Sequence, residues 1–404
     1  GKGMKAMKMA LYSSVFGDTF SDIMLIFAAG FLASIALNFG PPEYTLLTGF
    51  SLICISSLTG NSVWKGLLSV FLGMIIGMIG LDPITATPRL TFDYLELEEG
   101  IGLIPMLIGT LAVSEALRQM EQPIKKLASS TLSFSKNKID NIVTWAEFKS
   151  TLPTIVKSSG LGTLIGAMPG LGSTIAAFLA YGEAKRSSKF PEKFGKGSLE
   201  GVAASEAANN AVSGSNMIPL LAFGIPGDIA AALIMGAFLI QGITLGPVVF
   251  QDNPIEIYAI FAALIVANLL NLVLGHGLIK MCKHVVTVPK RLLFPAVLVI
   301  ASAGAYALRG SLFDIQLVFC FGVLGYLMMK CDIPTVPMLI GFILIPIFEE
   351  NLRITILLGS SHDLNIGFIF TRPAFLTLLL IMMVASFIVV KRRKLQNLEK
   401  INHK

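Results

Sequence analysis

Long apolar runs recur along the whole chain, and this repetition limits the possible folds more than any other feature. Runs suitable for membrane spans lie near residues 20–38, 44–58, 66–80, 101–117, 256–279, 292–308, 313–329, 336–348 and 374–390. Charged residues make up only 14% of the sequence, whereas a soluble domain carries about 25%. A span needs about 20 apolar residues, so the shorter runs extend into their flanks or line other protein segments. The pattern predicts an all-α polytopic membrane protein.

The charges between the runs predict which side of the membrane each loop faces. Basic residues concentrate in segments 2–8, 118–138, 185–196, 280–291 and 391–404, whereas segments 81–100 and 243–256 are acidic or neutral. Cytoplasmic loops carry an excess of Lys and Arg, so we place the basic segments and the C-terminus in the cytoplasm. The net charge of +6 is then explained by these loops, without a nucleic-acid partner. Four spans lead from the first basic segment to the second, and an even number of crossings leads to the third.

Between the second and third basic segments, one apolar unit is interrupted by MPGLGS, residues 168–173. Pro169, Gly170 and Gly172 should break a helix there. With an even number of crossings, the simplest interpretation is a re-entrant hairpin over residues 147–184. Broken backbone at membrane depth is tolerated only where protein or a water-filled cavity covers it.

A second interrupted region follows the hairpin. We expect broken helices over residues 198–242, with breaks at VSGSN (212–216) and GIPGD (224–228). Because segment 243–256 is predicted to be external, this region must cross the membrane an odd number of times, and one net crossing fits.

An internal repeat relates the two halves of the chain. IPMLIGTLAVSEALR (104–118) returns as VPMLIGFILIPIFEENLR (336–353), with PMLIG and a Glu-x-Leu-Arg ending in both. By the crossing count the first copy ends inside and the second outside, which is typical of inverted repeats; chance similarity is the alternative. We therefore divide the chain into residues 1–140, the remainder of a first repeat with about four spans, and 141–404. This second repeat holds the hairpin, the broken helices and about five more spans. The repeat offset also predicts at least ~65 residues before residue 1, with a twin of the hairpin.

The hairpin tip is a candidate binding site. The start of a half-helix carries unpaired N–H groups and about half a positive charge, and glycine lets an anion approach them closely. Ser173 and Thr174 would cap the second half-helix or donate to a carboxylate. A kinked packing helix is the alternative. The predicted substrate ligands here are Gly170, Gly172, Ser173 and Thr174.

Further candidates follow in SEAANNA (205–211) and GIPGD. Glu206 and Asn210 share a helix face with Asn209 beside it, and such polar groups are costly in lipid. They would bind a coupling ion or donate to a carboxylate, or else form a capping and hydrogen-bond cluster. Asp228 would cap the next half-helix or take part in ion coupling. We assign Asn209, Asn210 and Gly227 to substrate, and Glu206, Asn210 and Asp228 to ion coupling.

The sequence carries no recognisable catalytic motif. Its cysteines (Cys54, Cys282, Cys320 and Cys331) lie in or beside apolar runs without CxxC spacing and are interpreted as packing residues. FGKGS (194–198) lacks the spacing of an ATP-binding loop, no GxSxG occurs, and GIPGD differs from the motif of intramembrane aspartyl proteases. We therefore predict a protein that is not an enzyme and has no cofactor, and that couples transport to Na⁺ or H⁺.

An ordered set of motifs resembles one known family. GTLIGAMPGLGSTIAAFLAYGEAKR, SEAANNA, IPLLAFGIPGD and GITLGP are similar to the large membrane subunit of the tripartite tricarboxylate transporters, as are FGPPEY (39–44), GLDPITATPRLTF (80–92) and NLR…RP (351–373). The similarity covers essentially the whole chain, although the family's first hairpin has no counterpart in it.

The resemblance implies a function and partners. It implies a multi-pass permease subunit in the bacterial inner membrane that takes up small carboxylates such as citrate by alternating access. The implied partners are a small four-span membrane subunit, a periplasmic solute-binding protein, the carboxylate and the lipid bilayer. A non-transporting scaffold subunit that docks a binding protein is the alternative.

Overall fold

The architecture comes from a computed structural model that describes residues 2–58, 62–82, 84–121, 138–168, 172–285, 290–361, 366–380 and 382–383. The α-helices are α1 (Gly3–Ala36), α2 (Pro41–Leu58), α3 (Val63–Gly77), α4 (Leu95–Glu98), α5 (Leu103–Leu107), α6 (Ser114–Met120), α7 (Trp145–Gly166), α8 (Gly172–Ser187), α9 (Leu199–Phe223), α10 (Ile229–Ile240), α11 (Val249–Asp252), α12 (Pro254–Val285), α13 (Lys290–Arg309), α14 (Leu312–Lys330) and α15 (Val336–Ser361).

Shorter elements complete the described part of the chain. A π-helical segment, Ile108–Val113, joins α5 to α6, and residues 373–380 are helical. Three 3-10 segments cover Lys138–Asn141, Pro191–Lys193 and Ile366–Thr371. The strands β1 (Gly80–Leu81) and β2 (Pro88–Arg89) pair antiparallel in the loop between α3 and α4.

The predicted all-α membrane architecture is confirmed. Each of the nine apolar runs coincides with a helix, the last only in its described part. Within the described ranges, the helices long and apolar enough to cross a membrane are Gly3–Ala36, Pro254–Ile279 and Leu312–Lys330. Three shorter apolar helical segments of the described ranges are Val63–Gly77, Ala230–Ile240 and Pro295–Ala307.

Helix α9 is the packing centre, because α1, α7 and α8 all lie against it. Its alanines at positions 203, 204, 207, 208 and 211 are fully buried. A β-carbon added to Gly17 of α1 would lie 2.3 Å from the carbonyl oxygen of Ala207, and one added to Gly162 of α7 would lie 2.4 Å from that of Ala208. Small residues therefore bring the backbones together, as is usual where helices pack inside a membrane.

The expected break at VSGSN is wrong. Helix α9 runs without interruption from Leu199 to Phe223 and includes residues 212–216. Gly214 instead faces Ser21 and Asp22 of α1, at a distance that leaves no space for a side chain. The small and polar residues of this segment thus serve close helix contact and do not unwind the chain.

Each PMLIG copy packs against a helix from the other half of the chain. Gly109 of the first copy packs against Val318 and Gly322 of α14, whereas Gly341 of the second packs against Val70 of α3. Gly100, just before the first copy, lies against Gly80, and the end of the second copy contacts the same loop through salt bridges described below. The copies therefore run in opposite directions. A two-fold relation between inverted repeats would produce this arrangement.

Candidate functional site

The segment 224–228, which we call the break loop, separates α9 from α10. Gly224 ends α9 in the left-handed conformation, with φ of +70°, and its N–H donates to the carbonyl of Leu220 at 2.9 Å. Asp228 begins α10 as its cap, because its Oδ1 accepts from the N–H of Ala231 at 2.9 Å. Helix α9 thus ends and α10 begins within five residues.

The break loop folds back into the interior of the protein. Gly224 lies beside Leu245, but a β-carbon added to Gly227 would lie 2.5 Å from Oδ1 of Asn216 and 3.5 Å from the carbonyl oxygen of Gly166. Asn216 precedes Gly224 by eight residues, or about 12 Å of helix. The loop therefore returns along α9 and meets the last residue of α7, and a side chain at position 227 would displace the amide of Asn216.

Asn216 is the residue that sequence reasoning missed. Its side chain is 2% exposed, and neither Oδ1 nor Nδ2 has a hydrogen-bond partner among the described residues. An unpaired buried amide costs about 1–3 kcal/mol. The sequence signal was present in VSGSN, but there the Asn was interpreted as part of a helix break. Its amide instead faces the junction of the break loop with α7.

Helices α7 and α8 form the arms of the hairpin predicted at 147–184. Thr144 and Glu147 form a capping box at the start of α7, and Lys5 of α1 donates to Glu147 at 2.6 Å. These hydrogen bonds lower the pKa of Glu147 to about 2, with Lys5 contributing most. The start of α7 is therefore fixed to the N-terminal helix by a charge pair.

The tip of the hairpin is described only in part. Gly170 lies outside the described residues, whereas Gly172 opens α8 with φ of +68° and no atom within 4 Å of a β-carbon placed there. Ser173 is half-buried and Thr174 is exposed in the first turn of α8. The described end of the hairpin thus has open space beside it. Whether the hairpin is re-entrant stays a prediction.

Glu206 and Asn210 meet at Ser14 of α1. The hydroxyl of Ser14 donates to Oε2 of Glu206 at 3.2 Å and accepts from Nδ2 of Asn210 at 2.8 Å. Asn209 is half-buried beside them. Glu206 precedes Asn216 by ten residues, or about 15 Å along α9. The structure therefore separates Glu206, Asn209 and Asn210 on α9 from Gly227 and Asp228 in the break loop, which lies beside Asn216.

Two further carboxylates lie on α1, one and two turns beyond Ser14. Asp22 is 4% exposed, and its Oδ2 accepts from Nδ2 of Asn268 on α12 at 2.7 Å. Asp18 is half-buried one turn earlier. Their i, i+4 spacing in an apolar run is the sequence signal for them, because carboxylates inside a span are rare and usually functional.

Four charged residues tie the loop after α3 to α15: Asp82, Arg89, Glu349 and Arg353. We call them the outer ion network after the predicted orientation of that loop. Arg353 donates to both Asp82 oxygens at 3.1 and 2.8 Å, and Arg89 donates to Glu349 at 2.6 Å. The N–H groups of Thr85 and Ile84, together with Arg353, hold the pKa of Asp82 well below its usual range. This network connects two of the motifs that resemble the transporter family, residues 80–92 and residues 351–373.

A cavity of about 840 Å³ lies at the end of the molecule that carries the outer ion network. Tyr44, Glu98, Phe223, Leu245 and Pro346 contribute to its walls. Phe39 stacks on Phe223 at 5.7 Å between ring centroids. The cavity therefore leads from the loops at this end to the start of the break loop.

Groups of three or more His, Cys, Asp or Glu side chains that could hold a metal ion are absent from the described residues. The oxygens near the break loop are instead an amide, a main-chain carbonyl and one carboxylate. Such oxygens suit a weakly held alkali cation better than a transition metal, and an anion would need the N–H groups nearby as donors.

The comparisons with known proteins agree with these motifs. The family described as "Tripartite tricarboxylate transporter TctA family" matches residues 1–340. An uncharacterized 52.8 kDa protein of the TAR-I ttuC' 3' region of Agrobacterium vitis is 36% identical over 354 residues, which cover 87% of this chain and 69% of that protein. An uncharacterized protein of the TAR-II ttuC' 3' region of the same organism is 42% identical over 192 residues, 48% of this chain and 79% of that protein. No solved structure matches.

The family match covers more than half of the chain and includes both helix breaks, Asp82 and Arg89 of the outer ion network, and the first PMLIG copy. The chain therefore belongs to the tripartite tricarboxylate transporter TctA family, whose members are membrane components of such transporters.

Proposed function

We propose that the chain is the permease subunit of an ion-coupled secondary transporter that takes up small di- or tricarboxylates, citrate among them, by alternating access. The observation that carries this proposal is the junction of the break loop with the end of α7, beside the unpaired amide of Asn216. Discontinuous helices that meet inside the bundle are the usual binding sites of secondary transporters.

The substrate would bind between the hairpin tip and the break loop. Main-chain N–H groups at Gly170 and Gly172 and the hydroxyls of Ser173 and Thr174 would donate to a carboxylate at the positive end of α8. Gly227 and the Asn209–Asn210 pair would complete the site when the arms move. The cavity of about 840 Å³ would admit substrate from the outer side. It is large enough for citrate, since ligand pockets of about 300–1,000 Å³ hold drug-sized molecules.

Ion coupling would use Glu206, Asn210 and Asp228. Glu206 and Asn210 share Ser14 as a partner on α1, so a change at either side chain would alter the contact of α9 with α1. Asp228 bonds the start of α10 directly. A change of charge at these residues would thus shift one inverted repeat relative to the other.

The permease would work with two partner proteins in the bacterial inner membrane. A periplasmic solute-binding protein would deliver the carboxylate, and a small four-span membrane subunit would complete the transporter. The chain would lie in the bacterial inner membrane with its C-terminus in the cytoplasm.

Uptake by proteoliposomes tests this function. The chain is purified with the small membrane subunit and the solute-binding protein of its own system and reconstituted, and accumulation of labelled citrate and smaller dicarboxylates is measured under a Na⁺ gradient, a pH gradient or neither. We expect uptake that requires one of the gradients and the binding protein. If no carboxylate accumulates although the complex assembles and captures the binding protein, the chain is a docking scaffold and the proposal is refuted.

A further inference from the structure

We propose that a groove between α1, the start of α7 and α12 binds an acyl chain of an anionic phospholipid, whose phosphate lies against Lys8 and Lys149. Such a site goes beyond the proposed permease function and is independent of it, because the groove would hold lipid in a transporter and in a docking scaffold alike.

The groove, which we call the lateral groove, has a volume of about 560 Å³. This is the size of pockets that hold drug-sized molecules. The ring of Trp145 stacks on that of Phe148 with 5.8 Å between their centroids, and Tyr12 meets Phe148 edge-on at 6.1 Å. The apolar and aromatic side chains of its walls are Val15, Phe16, Val143, Trp145, Phe148 and Leu272.

The polar side chains in the walls of the lateral groove already have partners inside the protein. The hydroxyl of Tyr12 lies 3.0 Å from Nε2 of His276, and Nδ1 of that ring lies 2.8 Å from a main-chain carbonyl oxygen of its own helix. Thr19 donates to a main-chain carbonyl of α1 at 2.7 Å, and Thr144 belongs to the capping box of α7. A carboxylate would find no free donor among these side chains, whereas hydrocarbon needs none. The lateral groove therefore suits an acyl chain better than the transported substrate.

The lateral groove continues into apolar surface of α12. Exposed apolar side chains lie at positions 269, 270, 273 and 274, on both sides of Leu272. The segment Pro254–Ile279 of this helix is long and apolar enough to cross a membrane. An acyl chain of the surrounding bilayer would thus reach the groove sideways. Trp145 and Tyr12 fit this place, since Trp and Tyr are enriched at membrane–water interfaces.

Two lysines flank the lateral groove and give it a preference for negative charge. Lys8 precedes Tyr12 by one turn on the same face of α1, and Lys149 follows Trp145 by one turn on α7. Lys8 is half-buried and Lys149 is exposed, and neither forms an ion pair with another described residue. Segment 2–8 is predicted to be cytoplasmic, where anionic headgroups attract basic residues near the membrane. The two ammonium groups therefore favour an anionic headgroup over a zwitterionic one.

The two tryptophans of the chain, Trp64 and Trp145, make the site directly measurable. Their side chains are similarly exposed, at 81% and 76%. In Trp64→Phe, studied as the full-length chain in detergent, only Trp145 fluoresces, and phosphatidylglycerol with brominated acyl chains quenches it on contact. We expect quenching that saturates near one lipid per chain. Unbrominated phosphatidylglycerol should reverse it at a concentration at least about fivefold lower than phosphatidylcholine does.

The matched control is Trp145→Phe, which leaves Trp64 at the start of α3 as the reporter. Trp64 does not line the lateral groove. Its quenching should rise with the amount of lipid without saturation and without a headgroup preference.

Three variants in the Trp64→Phe background separate the chain-binding walls from the headgroup contacts. Val15→Phe fills the groove and should weaken saturable quenching at least about fivefold. Lys8→Gln and Lys149→Gln should each reduce the preference for phosphatidylglycerol about fivefold and leave phosphatidylcholine binding unchanged. Lys185→Gln removes the same charge from the last turn of α8 and should leave the preference unchanged. The lysine variants keep the apolar walls, so they remain informative if Val15→Phe does not fold.

Three results would overturn the lipid site. One is quenching of Trp145 that does not saturate or that is equal with and without Val15→Phe. Another is equal affinity for phosphatidylglycerol and phosphatidylcholine, which would refute the anionic headgroup. The third is displacement of the brominated lipid by the small membrane subunit together with loss of that subunit from Val15→Phe, which would make the groove a protein interface. Carboxylate uptake is measured separately, so failure of the lipid site leaves the permease proposal standing.

Discussion

Replacing Asn216 by leucine should cost the protein far less stability than the same substitution at Asn268. Leucine has the branched shape of asparagine but a larger volume, so its two methyl groups would lie close to the positions of Oδ1 and Nδ2 and crowd the site. The amide of Asn216 has no hydrogen-bond partner among the described residues. The substitution therefore removes an unsatisfied polar group and leaves no cavity.

The size of the effect follows from two terms. Relief of the unpaired amide contributes about 1–3 kcal/mol. Added volume in a tightly packed place costs about 1–3 kcal/mol, and the approach of Gly227 makes this place tight. The two terms nearly cancel, so we expect the free energy of unfolding to change by less than about 1 kcal/mol.

The assay is thermal or denaturant unfolding in detergent, with Asn268→Leu as the matched control. Asn268 is also a buried amide, 8% exposed, but it donates to Asp22 at 2.7 Å. Its loss leaves a buried carboxylate unpaired and should cost about 1.5–3 kcal/mol. The same substitution thus has a small effect at position 216 and a large destabilising effect at position 268. If Asn216→Leu destabilises the protein as much as Asn268→Leu does, Asn216 has a structural partner and the reasoning fails.

Three further predictions concern other parts of the molecule. Glu206→Gln should reduce ion-driven carboxylate uptake at unchanged expression, because it keeps a hydrogen-bond acceptor for Ser14 but removes the charge; unchanged uptake would exclude this carboxylate from coupling. Asp82 has a lowered pKa in the folded protein, so its contribution to stability is present above about pH 4. That contribution is lost as the pH falls toward the folded-state pKa, and melting curves of Asp82→Asn should show a smaller acid-induced decrease than the wild type. Gly17→Ala should destabilise the protein by roughly 1–3 kcal/mol through a clash with α9, whereas Gly30→Ala on the same helix, with open space beside it, should be neutral or stabilising; equal effects would contradict the packing of α1 on α9.

Much of the fold could be predicted from the sequence because the membrane imposes a strong rule. Backbone groups in lipid must be paired within the segment, so every long apolar run becomes a helix. The failure at 212–216 has a physical reason. Glycine and serine weaken an isolated helix, but between packed helices they allow close backbone contact, and Gly214 makes room for Asp22.

The candidate site was predicted less completely. The helix-face rule correctly identified Glu206 and Asn210 as neighbours, and the Gly-rich segment 224–228 is where α9 ends and α10 begins. The folding back of the break loop onto Asn216 and Gly166 depends on contacts between residues far apart in the chain, and local patterns do not encode it. Asn216 was missed for this reason.

The central claim is that substrate binds where the two broken segments meet, and cysteine protection tests it most directly. Ser173→Cys is made in a chain whose native cysteines are replaced by alanine, and its rate of modification by a water-soluble maleimide is measured in membranes. The account predicts at least a threefold slower reaction with saturating citrate and Na⁺ than with choline chloride, and no such change at Thr45→Cys on α2. An unchanged rate at position 173 in a variant that still transports carboxylate would contradict it.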